Sequence, residues 1–482
     1  MRLHPYTPLT LAIRKGEPAI VRALLDGGAD VNQAAEERQT PLSTAIKTHR
    51  VAVAEWLLDR GADLHHRDGL RRTPLLLAAA EPTGQIAASL LQRGADPRVV
   101  GHAGQGGLHA AARAGNRVMA GLLLDRGLDP NSQDDQGFTP VMYAARGDHP
   151  EVVRLLVGRS ARLDLVPRTS GEGTVLIQIA NASSTAYGNL NDVRRRDRAA
   201  AMIRLLLELG ADPRGRNSYG FTAFMWAAAR GNRDAAAALL ERGASVNEAD
   251  NQGRTPLMWT AALGSVDTLP WLLAQGADLH ARSQDGETVL GMAARYGREQ
   301  AVRFLLDQGL DPERRDREGN TPLLTAVRDG RSPAAEVLLR HGADPTVRDR
   351  DGATLLHLAV RAAALPLVEA LLARGLAATV RDRRGETVVE WALADDTRLS
   401  TAHAAVLQRL LRAGGAPDRT LRERVERRIA ELEPRVAPVQ EQRLLAALRA
   451  GDRAGALRLL RAGVNANARV GGAWALTQAV QL

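Results

Sequence analysis

The chain contains 482 residues and has a formal net charge of +9; 45% of its residues are hydrophobic, 25% are charged and 3% are aromatic. This length exceeds what one compact core fills, so we expect either several domains or an elongated repeat array in which small side chains do much of the packing. Cysteine is absent, which excludes disulfides, thiolate metal sites and cysteine nucleophiles.

The first residues, Met1 to Lys15, contain no apolar stretch as long as the core of a signal peptide or a membrane span. We therefore expect a soluble, cytoplasmic protein.

Arginine accounts for nearly all of the 64 basic residues, because Lys15 and Lys47 are the only lysines. Together with the abundance of alanine and glycine, this bias suggests a GC-rich coding sequence and a bacterial source.

A Thr-Pro-Leu motif, or a variant of it, recurs along the chain. Its first residue falls at intervals of 33 residues in two runs: Thr7, Thr40, Thr73, Gly106 and Thr139, and then Thr222, Thr255, Thr288, Thr321, Thr354 and Thr387. Thr174 lies between the runs, 35 residues after Thr139 and 48 residues before Thr222. These twelve positions define twelve repeats, numbered here 1 to 12, and a fixed period of this size is typical of solenoids.

Each repeat predicts two short helices. Threonine is a favourable N-cap, and proline at the first helical position loses no hydrogen bond. A second segment ends in a leucine pair, such as Leu272-Leu273, which we expect to form the core. A glycine 21 residues after the first residue of the motif can end the second helix in a left-handed conformation; these glycines are Gly28, Gly61, Gly94, Gly127, Gly243, Gly276, Gly309, Gly342 and Gly375.

Two repeats show the pattern most completely. Repeat 8, with Thr255-Pro256-Leu257, Ala261-Ala262, Gly264, Leu272-Leu273 and Gly276-Ala277-Asp278, resembles the ankyrin repeat, and so does repeat 11, with Thr354, Leu356, His357, Ala359 and Gly375. The resemblance covers about residues 1–417. It implies an all-α fold, an ankyrin-repeat solenoid of helix-turn-helix units with β-hairpin-like fingers.

Three residues depart from this pattern. Asp148 and Ala363 replace the usual glycine between the two helices, and Ser160 replaces the glycine that ends the second helix. We interpret these as local departures that weaken single repeats and leave the assignment unchanged.

Repeat 6 has about fifteen extra residues between Thr174 and the leucine pair Leu206-Leu207. The excess, around Asn181 to Arg196, contains Asn, Ser, Gly and Tyr187, which favours a loop between the two helices. Loops added to one face of a solenoid often bind partners. A neutral insertion is the alternative.

Residues 418–440 form a separate charged segment. Leu421, Val425, Ile429 and Leu432 have helical spacing ahead of two prolines, which predicts an amphipathic helix that acts as a cap or a spacer.

Residues 441–482 resume ankyrin-like spacing in a further repeat and a partial unit, where Trp474 takes the place of the first residue of the motif. Either the chain is truncated there or its last helix is a C-terminal cap, and we favour truncation.

Two segments could suggest a ligand site. Gly101 to Gly107 is rich in glycine and precedes a helix, but it lacks the Lys-Ser/Thr ending of a phosphate loop and occupies the finger of repeat 4. His65 and His66, with Asp63 and Asp68, occupy a predicted turn and do not have the spacing of a zinc site. We expect no cofactor and no metal at either place.

His109 and His357 stand three residues after the first residue of their motif, where ankyrin repeats often have histidine. The resemblance implies that they stabilise their repeats. No serine, histidine and carboxylate set recurs in a recognisable context, so we expect no catalytic activity.

The resemblance also implies that partners bind the fingers and the exposed end of the first helix. Seven residues after the first residue of the motif, seven of the twelve repeats have a cation and none has an acid: Arg14, Lys47, Arg113, Arg146, Arg295, Arg328 and Arg361. We call this set the basic ladder, which would suit an acidic peptide or a phosphate backbone. The alternative is that each cation only stabilises a helix C-terminus through the helix dipole.

Eleven of the fifteen aromatic residues fall within about a third of the chain, in and around repeats 5–9. Those predicted to reach a partner are Phe138, Tyr219 and Phe221 in fingers, Tyr143, Trp226 and Trp259 on first helices, Tyr187 in the insertion, and Tyr296; Trp271 and Phe304 are predicted to be core. Because aromatic anchors dominate many protein interfaces, this region is the predicted binding surface. Core packing remains the alternative for each residue.

We therefore predict a non-catalytic protein-protein interaction scaffold that binds its partner on the concave face and fingers, around repeats 5–9. The expected partner is another protein, and an acidic segment in that partner is one option. The alternative function is binding of a polyanion or nucleic acid through the basic ladder, which the nearly balanced charge of the array disfavours. Neither membrane association nor a small-molecule substrate is expected.

Overall fold

The computed structural model describes residues 6–81, 84–168, 171–182, 190–394, 399–416 and 418–432, together with residues 469–470 and 473–474. The chain divides into two compact units. The first comprises Met1–Thr325 and Arg340–Ala343, and the second comprises Ala326–Leu339 and Asp344–Leu482.

The described residues confirm two helices in each of the twelve predicted repeats. In chain order these are α1 (Pro8–Lys15), α2 (Pro18–Asp26), α3 (Pro41–Lys47), α4 (Val51–Asp59), α5 (Pro74–Ala79), α6 (Gln85–Gln92), α7 (Gly107–Ala114), α8 (Arg117–Asp125), α9 (Pro140–Arg146), α10 (Pro150–Gly158), α11 (Val175–Ala182), α12 (Leu190–Glu208), α13 (Ala223–Ala229), α14 (Arg233–Glu241), α15 (Pro256–Leu263), α16 (Leu269–Ala274), α17 (Val289–Arg295), α18 (Glu299–Asp307), α19 (Pro322–Arg328), α20 (Ser332–Arg340), α21 (Leu355–Arg361), α22 (Leu365–Ala373), α23 (Val388–Ala394) and α24 (Thr401–Arg412).

Shorter elements complete the description. A last helix, α25, spans Arg419–Leu432, and single 3-10 turns lie at Glu36–Arg38, His102–Gly104 and Val266–Thr268. Strand β1 (Arg469–Val470) pairs antiparallel with β2 (Ala473–Trp474).

The first helices begin where the motif places a capping threonine. The Oγ1 atom of Thr222 accepts a hydrogen bond from the backbone N–H of Met225 at 3.2 Å, and Thr288 accepts one from Gly291 at 3.1 Å. The same bond is present in repeats 1, 2, 3, 8 and 10. It satisfies one of the N–H groups that every helix start leaves without a partner, which explains why threonine recurs.

The leucine pairs form the core as predicted, but their two members differ. The first leucine of the pair is fully buried in α4, α6, α14, α16, α18, α20 and α22, whereas the second borders the surface in several repeats. Leu239 and Leu272 are both 0% exposed. Small residues pack against them, since the alanines of α13 and α15 are almost completely buried. The scarcity of aromatic residues is thus compatible with a dry core.

The turn positions adopt the left-handed conformation that the glycines predict. All nine glycines of the set have positive φ, for example Gly276 at +86°. The three departures adopt it as well: Asp148 has φ +59°, Ala363 +50° and Ser160 +68°. Residues with a Cβ atom are disfavoured there, by about 1–2 kcal/mol. The repeat geometry therefore overrides local preference at these three positions.

Between repeats the chain forms the expected hairpin-like fingers. Isolated antiparallel bridges join Val100 to Gly106, Arg216 to Thr222, Arg282 to Thr288, Arg348 to Thr354 and Arg381 to Thr387. A carboxylate or amide five residues before the capping position closes each turn in several fingers; in Asp250, Oδ1 accepts hydrogen bonds from the N–H groups of Gln252 and Arg254 at 2.8 and 2.9 Å. The role of this finger residue was not predicted from the sequence.

Asparagine side chains join neighbouring repeats of the first unit. Asn247, in repeat 7, donates from Nδ2 to the carbonyl of Gly276 at 3.0 Å and accepts at Oδ1 from the N–H of Asp278 at 2.8 Å, both in repeat 8. Asn32 and Asn131 make the same two bonds at their own repeat boundaries. We call these bonds the asparagine links.

Repeat 6 corrects one prediction. Helix α12 spans 19 residues, Leu190–Glu208, so residues 190–196 of the predicted loop are helical. The reason is composition: after the polar stretch, the run from Leu190 to Arg198 contains no glycine or proline and is rich in arginine, which favours a helix. Asn181 lies in the last turn of α11. Residues 183–189, which include Tyr187, lie outside the described residues.

Helix α25 confirms the amphipathic helix predicted after residue 417. It packs against α24 and α23 and buries Leu421, Val425 and Ile429. The further repeat predicted at residues 441–468 lies outside the described residues. Trp474 pairs with Arg469 between β1 and β2.

Candidate partner-binding surface

Three aromatic side chains of repeats 7 and 8 form a compact group. Phe221 ends the finger before α13, and Trp226 and Trp259 occupy equivalent positions on α13 and α15. The rings of Phe221 and Trp226 stack with centroids 4.9 Å apart and planes at 20°, and Phe221 lies 5.0 Å from Trp259 at 50°. All three side chains are half-buried. We call them the aromatic cluster.

Arginine side chains lie against two of these rings. The guanidinium carbon of Arg230 is 5.2 Å from the centroid of Trp226, and that of Arg254 is 5.0 Å from the centroid of Trp259. Both distances fit a cation–π contact. Arg230 also donates to Oδ1 of Asn181 at 3.1 Å. Burial lowers the pKa of the Arg230 guanidinium, so this charge is partly removed from water.

The two indoles differ in their hydrogen bonds. Nε1 of Trp259 donates to Oδ2 of Asp250, the finger carboxylate, at 3.0 Å. Repeat 7 has Asn217 at the equivalent finger position, where Oδ1 accepts from the N–H groups of Tyr219 and Phe221. Its Nδ2 donates to the carbonyl of Gly171 at 2.7 Å. An amide nitrogen cannot accept a hydrogen bond, so Asn217 offers nothing to Trp226.

Two donors of this surface consequently lack an acceptor. Nε1 of Trp226 and Nε of Arg230 are buried, and neither has a hydrogen-bond partner among the described residues. Most buried polar atoms in proteins are hydrogen-bonded. Because both atoms are shielded from solvent, an oxygen of another molecule could reach either donor only after a movement of neighbouring side chains.

A second aromatic pair, Phe138 and Tyr143, lies in repeat 5. Phe138 is only 5% exposed, so it belongs to the packing and is not presented to a partner. Its backbone explains this: the N–H donates to Asp134 at 2.9 Å and the carbonyl contacts Nε2 of His109 at 3.1 Å, which hold the finger against repeat 4. Tyr143 is half-buried, and its hydroxyl donates to Oδ2 of Asp134 at 2.7 Å.

The remaining predicted aromatics are separate from the cluster. Tyr219 is 56% exposed, with its ring against Gly171, where a Cβ atom would lie 2.7 Å from the ring. Tyr296 is 37% exposed at the end of α17. Trp271 and Phe304, predicted to be core, are half-buried.

The cations of the basic ladder contact neighbouring side chains. Within the first unit, Arg113 lies 4.5 Å from the centroid of Tyr143, Arg146 lies 5.2 Å from that of Phe138, and Arg295 pairs with Glu287 at 2.8 Å. In the second unit, Arg361 lies 5.7 Å from the centroid of Trp391, and Arg328 is half-buried. Aromatic or acidic neighbours thus contact Arg113, Arg146, Arg295 and Arg361, a role that neither interpretation from the sequence anticipated.

His109 and His357 have the structural role that the resemblance implied. Nδ1 of His357 accepts from the N–H of Thr354 at 3.3 Å, and its Nε2 contacts the carbonyl of Glu386 in the next finger at 3.3 Å. His109 makes equivalent contacts in repeat 4. Burial lowers the pKa of both imidazoles. Ser400 and His403 repeat the arrangement before α24, which the sequence analysis missed.

The two segments weighed as ligand sites lie in ordinary fingers. Gly101 to Gly107 contains the Val100–Gly106 bridge and the start of α7. Nε2 of His66 contacts the carbonyl of Arg38 at 2.8 Å, and Asp68 closes its finger turn and pairs with Arg72. Over the described ranges, no group of three His, Asp or Glu side chains is placed to hold a metal ion.

Models of the ankyrin-repeat family match most of the chain. The description "Ankyrin repeats (3 copies)" applies to residues 2–68, 72–166, 195–283 and 257–349, and "Ankyrin repeats (many copies)" to residues 348–392. The stretch between 166 and 195, which the models leave out, contains α11 and most of the repeat 6 insertion. No curated protein matches the chain. Among the helices of the described residues, none is long and apolar enough to span a membrane.

Proposed function

The chain belongs to the ankyrin-repeat family, and we propose that it is a non-catalytic scaffold that binds another protein through the fingers and first helices of repeats 5–9. Ankyrin repeats are in general interaction modules without catalytic activity, which supports the proposal that the chain is a non-catalytic scaffold. The position of the binding surface rests on the geometry of the side chains.

The observation on which the proposal depends is the aromatic cluster with its unpaired donors. Interface hot spots are enriched in tryptophan, tyrosine and arginine, and repeats 7 and 8 combine two tryptophans, a phenylalanine and two arginines within contact distance. Trp226 Nε1 and Arg230 Nε have no acceptor among the described residues but are shielded from solvent, so a bound segment could reach them only after side chains move. A peptide segment that supplies an apolar side chain would complement the aromatic rings, and its carbonyl oxygen could pair with either donor after that movement.

Tyr143, Tyr219 and Tyr296 extend this surface at its margins. Tyrosine provides apolar area and a hydrogen-bonding group with little conformational entropy to lose, so partly exposed tyrosines suit the edge of an interface. Phe138 drops out of the proposed contact set because it is buried.

The alternative of nucleic-acid or polyanion binding receives less support. Several cations of the basic ladder are exposed, but Arg113, Arg146 and Arg361 lie over aromatic rings and Arg295 is paired with Glu287, so a phosphate backbone would compete with contacts already made. Single-stranded nucleic acids also need open aromatic faces for stacking. In the aromatic cluster, Phe221 and Trp226 stack on each other, so each of the two rings has one face already covered.

Affinity capture with the full chain, mass spectrometry and parallel nuclease treatment would test the proposal. We expect protein partners that survive nuclease, and their recovery should fall sharply for Trp226→Ala, since a hot-spot residue contributes about 2 kcal/mol or more, roughly thirtyfold in affinity.

Trp56→Ala is the matched control, because Trp56 is also half-buried and has Arg22 4.5 Å from its ring centroid, but lies in repeat 2. Circular dichroism of both variants separates binding from folding. Equal recovery for the two folded variants, or partners that disappear with nuclease, would contradict the proposal.

A further inference from the structure

A groove of about 570 Å³ lies beside the insertion of repeat 6. One wall is the turn between the two helices of repeat 5, with Arg146 and Asp148, and the other is the N-terminal half of α12, with Arg194, Arg195 and Arg198. None of the three residues of the aromatic cluster lines it. The groove is therefore a separate feature of the first unit.

The insertion creates this groove by lengthening a helix. Helix α14 begins at Arg233, which corresponds to Ala200 when repeat 6 is aligned with repeat 7 by the leucine pairs. Helix α12 begins ten residues earlier, at Leu190. At 1.5 Å per residue this adds about 15 Å of helix that no regular repeat has. The added segment contains three of the four arginines of the groove.

The charges of the groove are unbalanced. Arg198 follows Arg194 by four residues and Arg195 by three, so it lies next to each of them on the helix surface, where like charges repel. Arg198 pairs with Asp148 at 3.6 Å, and both side chains are largely exposed, so this pair is weak. Arg194 and Arg195 are exposed, and no acidic side chain of the described residues pairs with either. A concentration of positive charge that destabilises its own helix favours an anionic ligand.

The floor of the groove is apolar. Ile179, Ala199 and Met202 line it and are each at most 9% exposed. Methionine adapts readily to the shape of a bound side chain. No aromatic ring lines the groove, so it offers nothing on which a nucleobase could stack.

From these observations we propose that the groove binds an acidic peptide segment in which carboxylates flank one apolar side chain. The apolar side chain contacts Ile179 and Met202, and the carboxylates pair with Arg194 and Arg195, whose guanidinium groups can each hold a carboxylate through two hydrogen bonds. The site lies beyond the aromatic cluster and does not depend on it.

Fluorescence anisotropy with the full chain tests this site directly. The probe is a labelled Glu-Glu-Leu-Glu-Glu peptide, with Gln-Gln-Leu-Gln-Gln as its neutral match and a labelled oligo-dT as the nucleic-acid comparison. We expect saturable binding of the acidic probe only. The double variant Arg194→Glu and Arg195→Glu should raise its Kd at least tenfold, and Arg194→Gln with Arg195→Gln should give a smaller increase.

The control is the same charge reversal at a regular second helix, Arg117→Glu at the start of α8 with Arg126→Glu at its C-cap, which should leave the Kd unchanged. Trp226→Ala should also leave it unchanged, which distinguishes this site from the aromatic cluster. Absence of binding to the acidic probe, equal loss in the α8 control, or oligo-dT binding that depends on Arg194 and Arg195 would each overturn the proposal.

Discussion

Repeats 7 and 8 of the first unit share the helix-turn-helix arrangement, and one of the differences between them is the finger residue five positions before the capping threonine. Both cap their first helix with threonine, both place a tryptophan four residues later, and both bury the first leucine of their pair completely. Asp250 accepts a hydrogen bond from Trp259, whereas Asn217 leaves Trp226 without an acceptor. The comparison teaches that two repeats can keep the same fold while one atom, a carboxylate oxygen or an amide nitrogen, decides whether the indole N–H of the tryptophan has an acceptor within the protein.

The largest expected effect tests what the two repeats share. Leu239→Ala and Leu272→Ala each remove a side chain that is 0% exposed, and each should lower the free energy of unfolding by about 2–5 kcal/mol. Denaturant unfolding followed by circular dichroism measures both. A loss below about 1 kcal/mol in either variant would show that the packing of that repeat differs from the one described.

The second prediction exchanges this finger residue between the repeats. Asp250→Asn removes the acceptor of the Trp259 indole and should cost about 1–3 kcal/mol, because a buried donor is left unpaired. Asn217→Asp supplies an acceptor to Trp226 but loses the bond to Gly171, so its stabilisation should be about 1 kcal/mol or less. Nuclear magnetic resonance of the indole N–H groups reports which tryptophan is paired. If the indole N–H signal of Trp259 does not shift in Asp250→Asn, the difference in hydrogen bonding described for the two repeats is wrong.

A third pair of substitutions extends the comparison to the turn between the helices. Repeat 7 has Gly231 there, at φ +73°, and repeat 11 has Ala363 at φ +50°. Gly231→Ala should destabilise by about 1 kcal/mol and Ala363→Gly should stabilise by a similar amount, since the left-handed region disfavours a Cβ atom. Thermal melts of the two variants should therefore move in opposite directions; shifts of the same sign would contradict the argument.

The smallest expected effect concerns pH. Repeats 7 and 8 have Met225 and Met258 where repeats 4 and 11 have His109 and His357. Burial lowers the pKa of both imidazoles in the folded state below the ordinary value of about 6.5. The unfolded state therefore binds protons first, so the stabilisation is complete above about pH 6.5 and is lost as the pH falls toward the folded pKa.

Hydrogen exchange at pH 7 and pH 5 separates these repeats. Protection should decrease in repeats 4 and 11 and remain in repeats 7 and 8. The double variant His109→Met with His357→Met should remove the difference, and a decrease that persists in that variant would mean that other groups cause it.

The sequence predicted the architecture well because the repeat period makes every local signal recur. A single Thr-Pro pair or a single glycine is a weak signal for secondary structure. When these residues recur at a constant spacing, they together predict the two helices, the core leucines and the left-handed turns of each repeat. In repeat 6 the period gave no guide to the structure of the insertion. Without a second copy of its insertion, composition alone suggested a loop, and the helical run from Leu190 was missed.

The candidate site was less predictable, for a physical reason. Whether an aromatic residue faces solvent depends on contacts between neighbouring repeats, and the period does not encode them. Phe138 and Phe221 occupy equivalent finger positions, yet the first is buried and the second half-buried against two tryptophans. The substitution of Asn217 for the recurrent finger aspartate was visible in the sequence. The effect of this substitution could not be predicted, because the sequence does not show that the finger aspartate accepts a hydrogen bond from the aromatic residue of its repeat.

The asparagine links couple the opening of neighbouring repeats. Each link places the side chain in one repeat and both of its backbone partners in the repeat that follows, as Asn247 does with Gly276 and Asp278. Opening of either repeat breaks the same two bonds, and the coupling free energy lost is the same whichever repeat opens first. Both bonds are exposed, so water can replace either partner. Fraying should therefore cross a linked boundary equally readily in both directions. The amide hydrogen of Asp278 would report the opening of repeat 7 as well as that of its own repeat.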